Sequence, residues 1–395
     1  MSDRQINSEE SSYGLFVGLM SGTSLDGVDA VLMEIEGRDL ASITWKVLGF
    51  VSVPYTEEER SLIRAAIGSG TAQALTVLHG KIGRYFVRST RLLMLHTGTD
   101  AGSLTAVGSH GQTVWHQPPR PDERGVTLQL GDAATLAEEL GCAVVADFRS
   151  RDMAAGGHGA PLVPWSDWVL LSRPGVGRAL QNLGGMGNVT FLPSDGVFDG
   201  VRGFDTGPGV ALLDRVTQLA TKGAEPWDQE GARAARGTVI PRLLSDLLDD
   251  EFLATPPPRS TGRERFGDRR VDEIMGEVGP RSEAEWNDLL ATLVQLTAQS
   301  IALSYQRFLP IGAVHEVVLT GGGAHNPTLV AAIEEALAPL PVKLGAAALG
   351  IEPDAREAVA FALLAWAHQN GVCGNVPVVT GAAGRRVLGA LYPGR

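Results

Sequence analysis

Several carboxylates and a recurring glycine-rich turn are the parts of this chain that could do chemistry. Gly18-Leu-Met-Ser21-Gly22-Thr23-Ser24-Leu25-Asp26-Gly27-Val28-Asp29 opens the ordered sequence. It carries an Asp-Gly pair between two apolar runs, a hairpin signal. Such a turn aims backbone N–H groups and hydroxyls at one point, which suits a phosphate chain. Asp26 and Asp29 place carboxylates where a phosphate-bound Mg²⁺ needs oxygen ligands. A solvated hairpin tip would carry the same letters. Asp205, in Gly203-Phe-Asp-Thr-Gly-Pro-Gly209, could take a proton from water or cap a helix beginning near Pro208. Glu357, three residues after Asp354, could handle protons or complete a capping box.

These groups need strands that end in loops. Leu15 to Val17 and Val28 to Ile35 read as strands, and Glu57 to Ile67 and Ala72 to His96 as helices. Ala106 to Gly108 runs into Ser109-His110-Gly111-Gln112-Thr113, and the short strand Ala143 to Ala146 runs into Asp147-Phe-Arg149. Ala179 to Phe191 then repeats the opening layout of apolar strand, glycine-rich turn and returning strand, so two related α/β halves are expected. A helix follows residue 209, with Val210, Leu213, Val216 and Leu219 on one face. Residues 254–268, rich in Pro and Arg, read as a long surface loop. Then come a helix from Glu283 to Phe308, a strand from Glu316 to Leu319, the loop Thr320-Gly321-Gly322-Gly323, and a last helix from about Asp354 to His368. The expected division is a disordered leader at 1–13, one lobe of 14–130 plus 357–395, and a second lobe of 131–356.

Composition narrows the chemistry. A chain of 395 residues exceeds one ordinary core. Its net charge of −12 argues against nucleic acid or an anionic membrane as partner. Cys142 and Cys373 are the only cysteines, too few for a disulfide framework or a cysteine-rich metal site. The polar N-terminus has no signal core and no run reaches the length of a membrane span, so a cytoplasmic protein is expected. There is no P-loop, no dinucleotide fingerprint, no nucleophile elbow and no H-E-x-x-H.

Glycine-rich turns at 20–27, 184–187, 203–209 and 321–323 in two half-repeats resemble the actin, hexokinase and Hsp70 superfamily, which folds a nucleotide between two similar lobes. Within it the chain resembles the anhydro-N-acetylmuramic acid kinases from about residue 14 to 394. The motifs are GLMSGTSLDGVDAVL (18–32), GSHGQTVWH (108–116), ADFRSRDMAAGGHGAPLVP (146–164), NLGGMGNVT (182–190), GFDTGPG (203–209), DQEGARAARG (228–237), PPPRSTGRERF (256–266), TGGGAHNPTL (320–329), EAVAFALLAW (357–366) and GNVPVVTGAAGRRVLG (374–389).

The resemblance implies a two-lobed kinase that uses ATP, Mg²⁺ and water to open the 1,6-anhydro bridge of the sugar and phosphorylate O6. It makes Asp205 the general base and puts Glu357 at the sugar. It gives Gly22 to Asp29 the phosphates, Asp26 the metal, and Gly321, Gly322 and Gly323 the adenosine. His110, Gln112, Thr113, Asp147 and Arg149 are its sugar contacts. Arg149 is the candidate for the lactyl carboxylate, unless it pairs with Asp147 or Asp152 in a structural network. A homodimer is also implied. Two positions depart from the family pattern: Val210 where Asn is usual, and His158 where Gln is usual. The fungal levoglucosan kinases share the framework. A levoglucosan-type kinase and a nucleotide-binding sensor without turnover are the competing readings.

Overall fold

A computed structural model describes residues 13–22, 25–120, 122–345 and 349–395. The chain divides into two compact units, one running through Val169 and resuming at Asp354–Arg395, the other Leu170–Pro353. Residues 131–169 therefore belong with the first unit, not the second as expected from sequence. The reason is the sheet: the short strand Ala143–Ala146 pairs parallel to the strand that carries His110, inside the first unit.

In the first unit, β1 (Gly14–Ser21), β2 (Gly27–Glu36) and β3 (Thr44–Pro54) form an antiparallel meander. β4 (Leu104–Gln117) lies parallel to β1, and β6 (Ala143–Ala146) parallel to β4; β5 (Val126–Leu130) and β12 (Ala390–Tyr392) add antiparallel edges. One face packs Val17, Leu19 and Ala30 against Ile82, Phe86 and Leu93 of the helix Ala72–Thr97. The other face admits the helix Arg356–Gln369, buried from Ala358 to Ala367. Glycines allow that approach: a Cβ on Gly18 would lie 1.9 Å from Ala358 O, and one on Gly108 2.0 Å from Phe361 O. Both partners are backbone, so no rotamer change relieves them.

The second unit repeats the plan. β7 (Arg178–Leu183), β8 (Met186–Leu192) and β9 (Arg202–Pro208) form the meander, β10 (Glu316–Thr320) runs parallel to β7, and β11 (Val342–Leu344) parallel to β10. The strand order β6-β4-β1-β2-β3 in one unit is thus β11-β10-β7-β8-β9 in the other, with the same orientations. The core joins Leu183, Val189, Phe204 and Val317 to Leu293, Leu296 and Ile301 of the helix Glu283–Phe308, which starts on a capping box made by Ser282 and Glu285. Among the described residues no helix is long and apolar enough to cross a membrane.

Candidate active site

Asp205 is not in a loop and caps no helix. It lies within β9, and the following helix, Ala211–Ala220, begins at Val210 without any side-chain cap. Its peptide is bracketed: Asp205 N donates to Arg259 O at 3.4 Å, while Arg259 Nε donates to Asp205 O at 2.8 Å. Oδ2 accepts the Thr261 N–H at 2.8 Å. Among the described residues nothing hydrogen-bonds Oδ1, so one oxygen is fixed and the other is available. Burial pushes the carboxyl up to about 6, against the Thr261 N–H and the Arg259 charge, which pull it down. A carboxylate with this titration range and one open oxygen is suited to accept a proton near neutral pH.

The surface loop expected at 254–268 is in part interior. Arg259 is 8% exposed, and its guanidinium carbon lies 4.6 Å from the ring centroid of Phe308, 4.8 Å from Phe252 and 5.3 Å from Phe204. No periodicity marks a buried Arg after three prolines; the quoted motif was the only signal for it.

In the first unit the hairpin tip is tied from below. Ser21 Oγ lies 2.8 Å from Gly27 O and from Tyr55 Oη, and 2.7 Å from Gln112 Oε1. Gln112 Nε2 donates to Gly22 O at 3.1 Å and to Thr113 O at 3.2 Å. The Gln112 amide is thus occupied at both ends and fully buried, so it shapes the turn. Leu25 holds φ at +59°, a conformation that costs about 1–3 kcal/mol outside glycine, and Tyr55 N and Arg60 Nε bind the backbone at Asp26 O and Leu25 O. Asp26 is exposed, Asp29 half-buried on β2, and Val28 wholly in the core, where only its backbone is left to contribute. Thr23 and Ser24 lie outside the described residues.

His110, Arg149 and Glu357 come together. Arg149 Nε donates to His110 Nε2 at 3.0 Å and Nη1 to Gly159 O at 2.7 Å. Because Nε2 accepts from Arg149, the ring is neutral, and Nδ1 carries its proton and donates it to Gly111 O at 2.8 Å. Burial and the Arg149 charge hold His110 well below its usual range. Glu357 faces the charges of Arg149 and Arg356, and Arg356 is clamped in a two-point ion pair to buried Asp167. Desolvation pushes the Glu357 carboxyl up; both arginines oppose this, and Asp29 reinforces it. Yet the Glu357 side chain is open to solvent at the start of a helix whose next ten residues are buried.

The capping box that is the alternative reading of Glu357 does not form. A 3₁₀ turn, Pro353–Ala355, precedes the helix, whose cap is Ala355 without a side-chain bond. Thr113 Oγ1 accepts from Gln129, and Asp147, at φ +57°, binds Ser150; neither joins the His110–Arg149 group through a hydrogen bond. The loop at 155–159 is secured by Asp152, whose Oδ2 accepts from Gly159 N and whose Oδ1 accepts from Asn375 and Thr380. Two residues of the C-terminal motif are thus tied, through Asp152, to Gly159, whose carbonyl accepts from Arg149.

Of the three loop glycines, two have internal reasons. Gly321 takes φ +80° with Asn182 Oδ1 2.5 Å from where its Cβ would be, and a Cβ on Gly323 would lie 2.8 Å from Leu183 Cβ. Gly322 is exposed with nothing within 4 Å, so the fold itself does not demand glycine there.

Two units of one topology, each opening on a hairpin with a glycine-rich turn, give the doubled α/β plan of the actin/hexokinase-like fold class. The sequence profile described as anhydro-N-acetylmuramic acid kinase matches residues 14–394, and the chain belongs to that family. Relatives bearing that name include one from Caldanaerobacter subterraneus subsp. tengcongensis, 41% identical over 98% of this chain and 99% of its own. Another, from Gloeobacter violaceus, is 44% identical over 96% of this chain and 98% of its own. Among solved structures, a ROK family glucokinase from Streptomyces griseus in complex with glucose and AMPPNP matches 89% of this chain and 99% of its own, at TM-score 0.38 and 11% identity.

Proposed function

We propose that this chain, acting in the cytoplasm, opens the 1,6-anhydro ring of 1,6-anhydro-N-acetylmuramic acid with water and transfers the γ-phosphoryl group of ATP to the freed O6. The products are N-acetylmuramic acid 6-phosphate and ADP. The observation that carries the reading is Asp205, fixed at Oδ2, open at Oδ1 and titrating near neutrality. Asp205 accepts the proton of the water that bonds to C1; the C1–O6 bond breaks, and O6 bonds to phosphorus as ADP leaves. Glu357, with a raised carboxyl beside Arg149, holds or passes a second proton at the sugar. Among the described residues Arg149 commits Nε and one Nη1 proton, which leaves Nη2 and the rest of Nη1 for a carboxylate such as the lactyl group.

The Gly22–Asp29 hairpin holds the phosphates and the Gly321–Gly323 loop the adenosine. Burial raises the Asp29 carboxyl, a hydrogen bond from Ser52 opposes it, and the nearby charges of Asp354 and Asp26 add to the rise; this like charge fits a divalent cation. Among the described residues no three His, Cys, Asp or Glu side chains form a ready cage. That suits Mg²⁺, which keeps most of its water and takes one or two carboxylates, Asp26 foremost. When bound, the ion would neutralise charge on the phosphates.

Purified protein with Mg-ATP should form sugar phosphate from the anhydro-muramic substrate and not from levoglucosan. Asp205→Asn should lower that rate by about 10²–10⁴. ADP release without phosphorylated sugar would overturn the reading in favour of a nucleotide-driven sensor, and turnover of levoglucosan alone would move it to the other sugar.

A further inference from the structure

Arg259 makes more contacts than a loop anchor needs. Nε donates to Asp205 O; Nη1 reaches the Phe252, Leu253 and Thr255 carbonyls at 3.1, 3.3 and 3.0 Å; Nη2 donates to Ser304 Oγ at 2.7 Å, and Ser304 Oγ donates to Thr206 O at 3.1 Å. Its own carbonyl accepts from Asp205 N. Strand β9, the short helix Glu251–Ala254 with Thr255 at its end, and the helix Glu283–Phe308 are therefore joined at one side chain. Two residues on from Arg259, the chain delivers the Thr261 N–H to Asp205 Oδ2. The rings of Phe204, Phe252 and Phe308 wall the guanidinium from water, where its field on a nearby carboxylate is weakly screened.

We propose that Arg259 is the positioning residue of the proton acceptor: its side chain and its peptide together grip the Asp205 backbone and so aim the Asp205 carboxylate. Burial raises that carboxyl, and the Arg259 charge opposes the rise. The inference rests on the reading of Asp205 as general base. Asp205 is faced by Arg259 and by Glu264 on the segment Arg263–Phe266, and Arg259 in turn by Arg307 of the long helix. Asp214, also raised to about 6 by burial, answers to Arg263 instead, so its titration is independent of Arg259.

The test is the pH dependence of kcat and KM for Arg259→Met and Arg259→Lys, with folding checked by thermal melt. In Arg259→Met the acid limb of kcat should move up by about one pH unit or more, with KM for ATP unchanged. Arg259→Lys should keep the limb near its original pH but lose about tenfold or more in kcat through misplacement. Folded Arg259→Met with an unmoved acid limb would overturn the electrostatic part. Should that variant not fold, parental kcat in Arg259→Lys would overturn the positioning part. Asp205→Asn run alongside separates the two failures. If it keeps sugar turnover the general-base reading falls; if it is dead while both Arg259 variants behave as parent, only this inference falls.

Discussion

The two units share five strands in one order and differ in what covers the third. In the first unit β3 has no fully buried residue along its whole length. In the second the equivalent strand, β9, is mostly buried, with Ser304 of the helix Glu283–Phe308 donating to Thr206 O. A carboxylate on a bare strand titrates as it would in water; one on a covered strand is pushed towards neutrality. Cover, not topology, is what makes Asp205 a candidate base. The first unit reaches its own raised carboxyl by another route, at the start of a buried helix that meets β1 and β4 through glycine.

The largest expected effect tests that helix seat. Gly108→Ala puts a methyl carbon 2.0 Å from Phe361 O, where only backbone movement relieves it, and should cost about 3 kcal/mol, the upper end of overpacking. Amide exchange should quicken in Gly14–Ser21 and Leu104–Gln117 while Glu316–Thr320 keeps its protection. Equal loss in both sheets would show that the units melt as one, and the comparison would have to be made between faces of a single core.

Next is the stability cost of burying the Asp205 carboxyl on its covered strand. The folded-state value of about 6 lies above the ordinary 3.8, so the folded chain binds this proton more tightly than the unfolded one. The destabilisation is absent below pH 3.8, grows between 3.8 and 6, and is complete above 6. Asp205→Asn, which keeps an acceptor for the Thr261 N–H, should therefore be inactive yet more stable at pH 8 by on the order of 2–3 kcal/mol. Near pH 3.8 the two chains should melt alike. No gain at pH 8 would mean that β9 is wetter around Asp205 than its cover implies.

The duplicated framework was legible because glycine-rich turns after apolar runs recur at the same step of each repeat. The long capped helix was legible too, since Ser282 and Glu285 write its start. The division between units was misjudged because a strand of only four residues, Ala143–Ala146, carries too little pattern to reveal its partner. Asp205 and Glu357 were each open to a capping reading that local spacing favours; the bounds of β9 and of the helix Arg356–Gln369 remove both caps. Gln112 and Arg259 were illegible for one shared reason. Their work is done by hydrogen bonds to backbone and side-chain groups that only the fold brings together, which leaves no periodic trace in sequence.

The smallest expected effect separates glycines that serve the fold from one that serves something else. Gly323→Ala must displace Leu183 or Val210, whose Cγ1 lies 2.9 Å from the added carbon, and should lower the melting temperature of the second unit. Gly322→Ala meets nothing within 4 Å and has ordinary backbone angles, so the melt should not change. If the loop receives adenosine, the extra methyl should appear only as a rise of a few-fold in KM for ATP, about 1 kcal/mol, with kcat intact. Parental KM in Gly322→Ala would remove this residue from the nucleotide site. It would also leave the second unit's glycine loop with the same internal role that Gly18 and Gly108 have in the first.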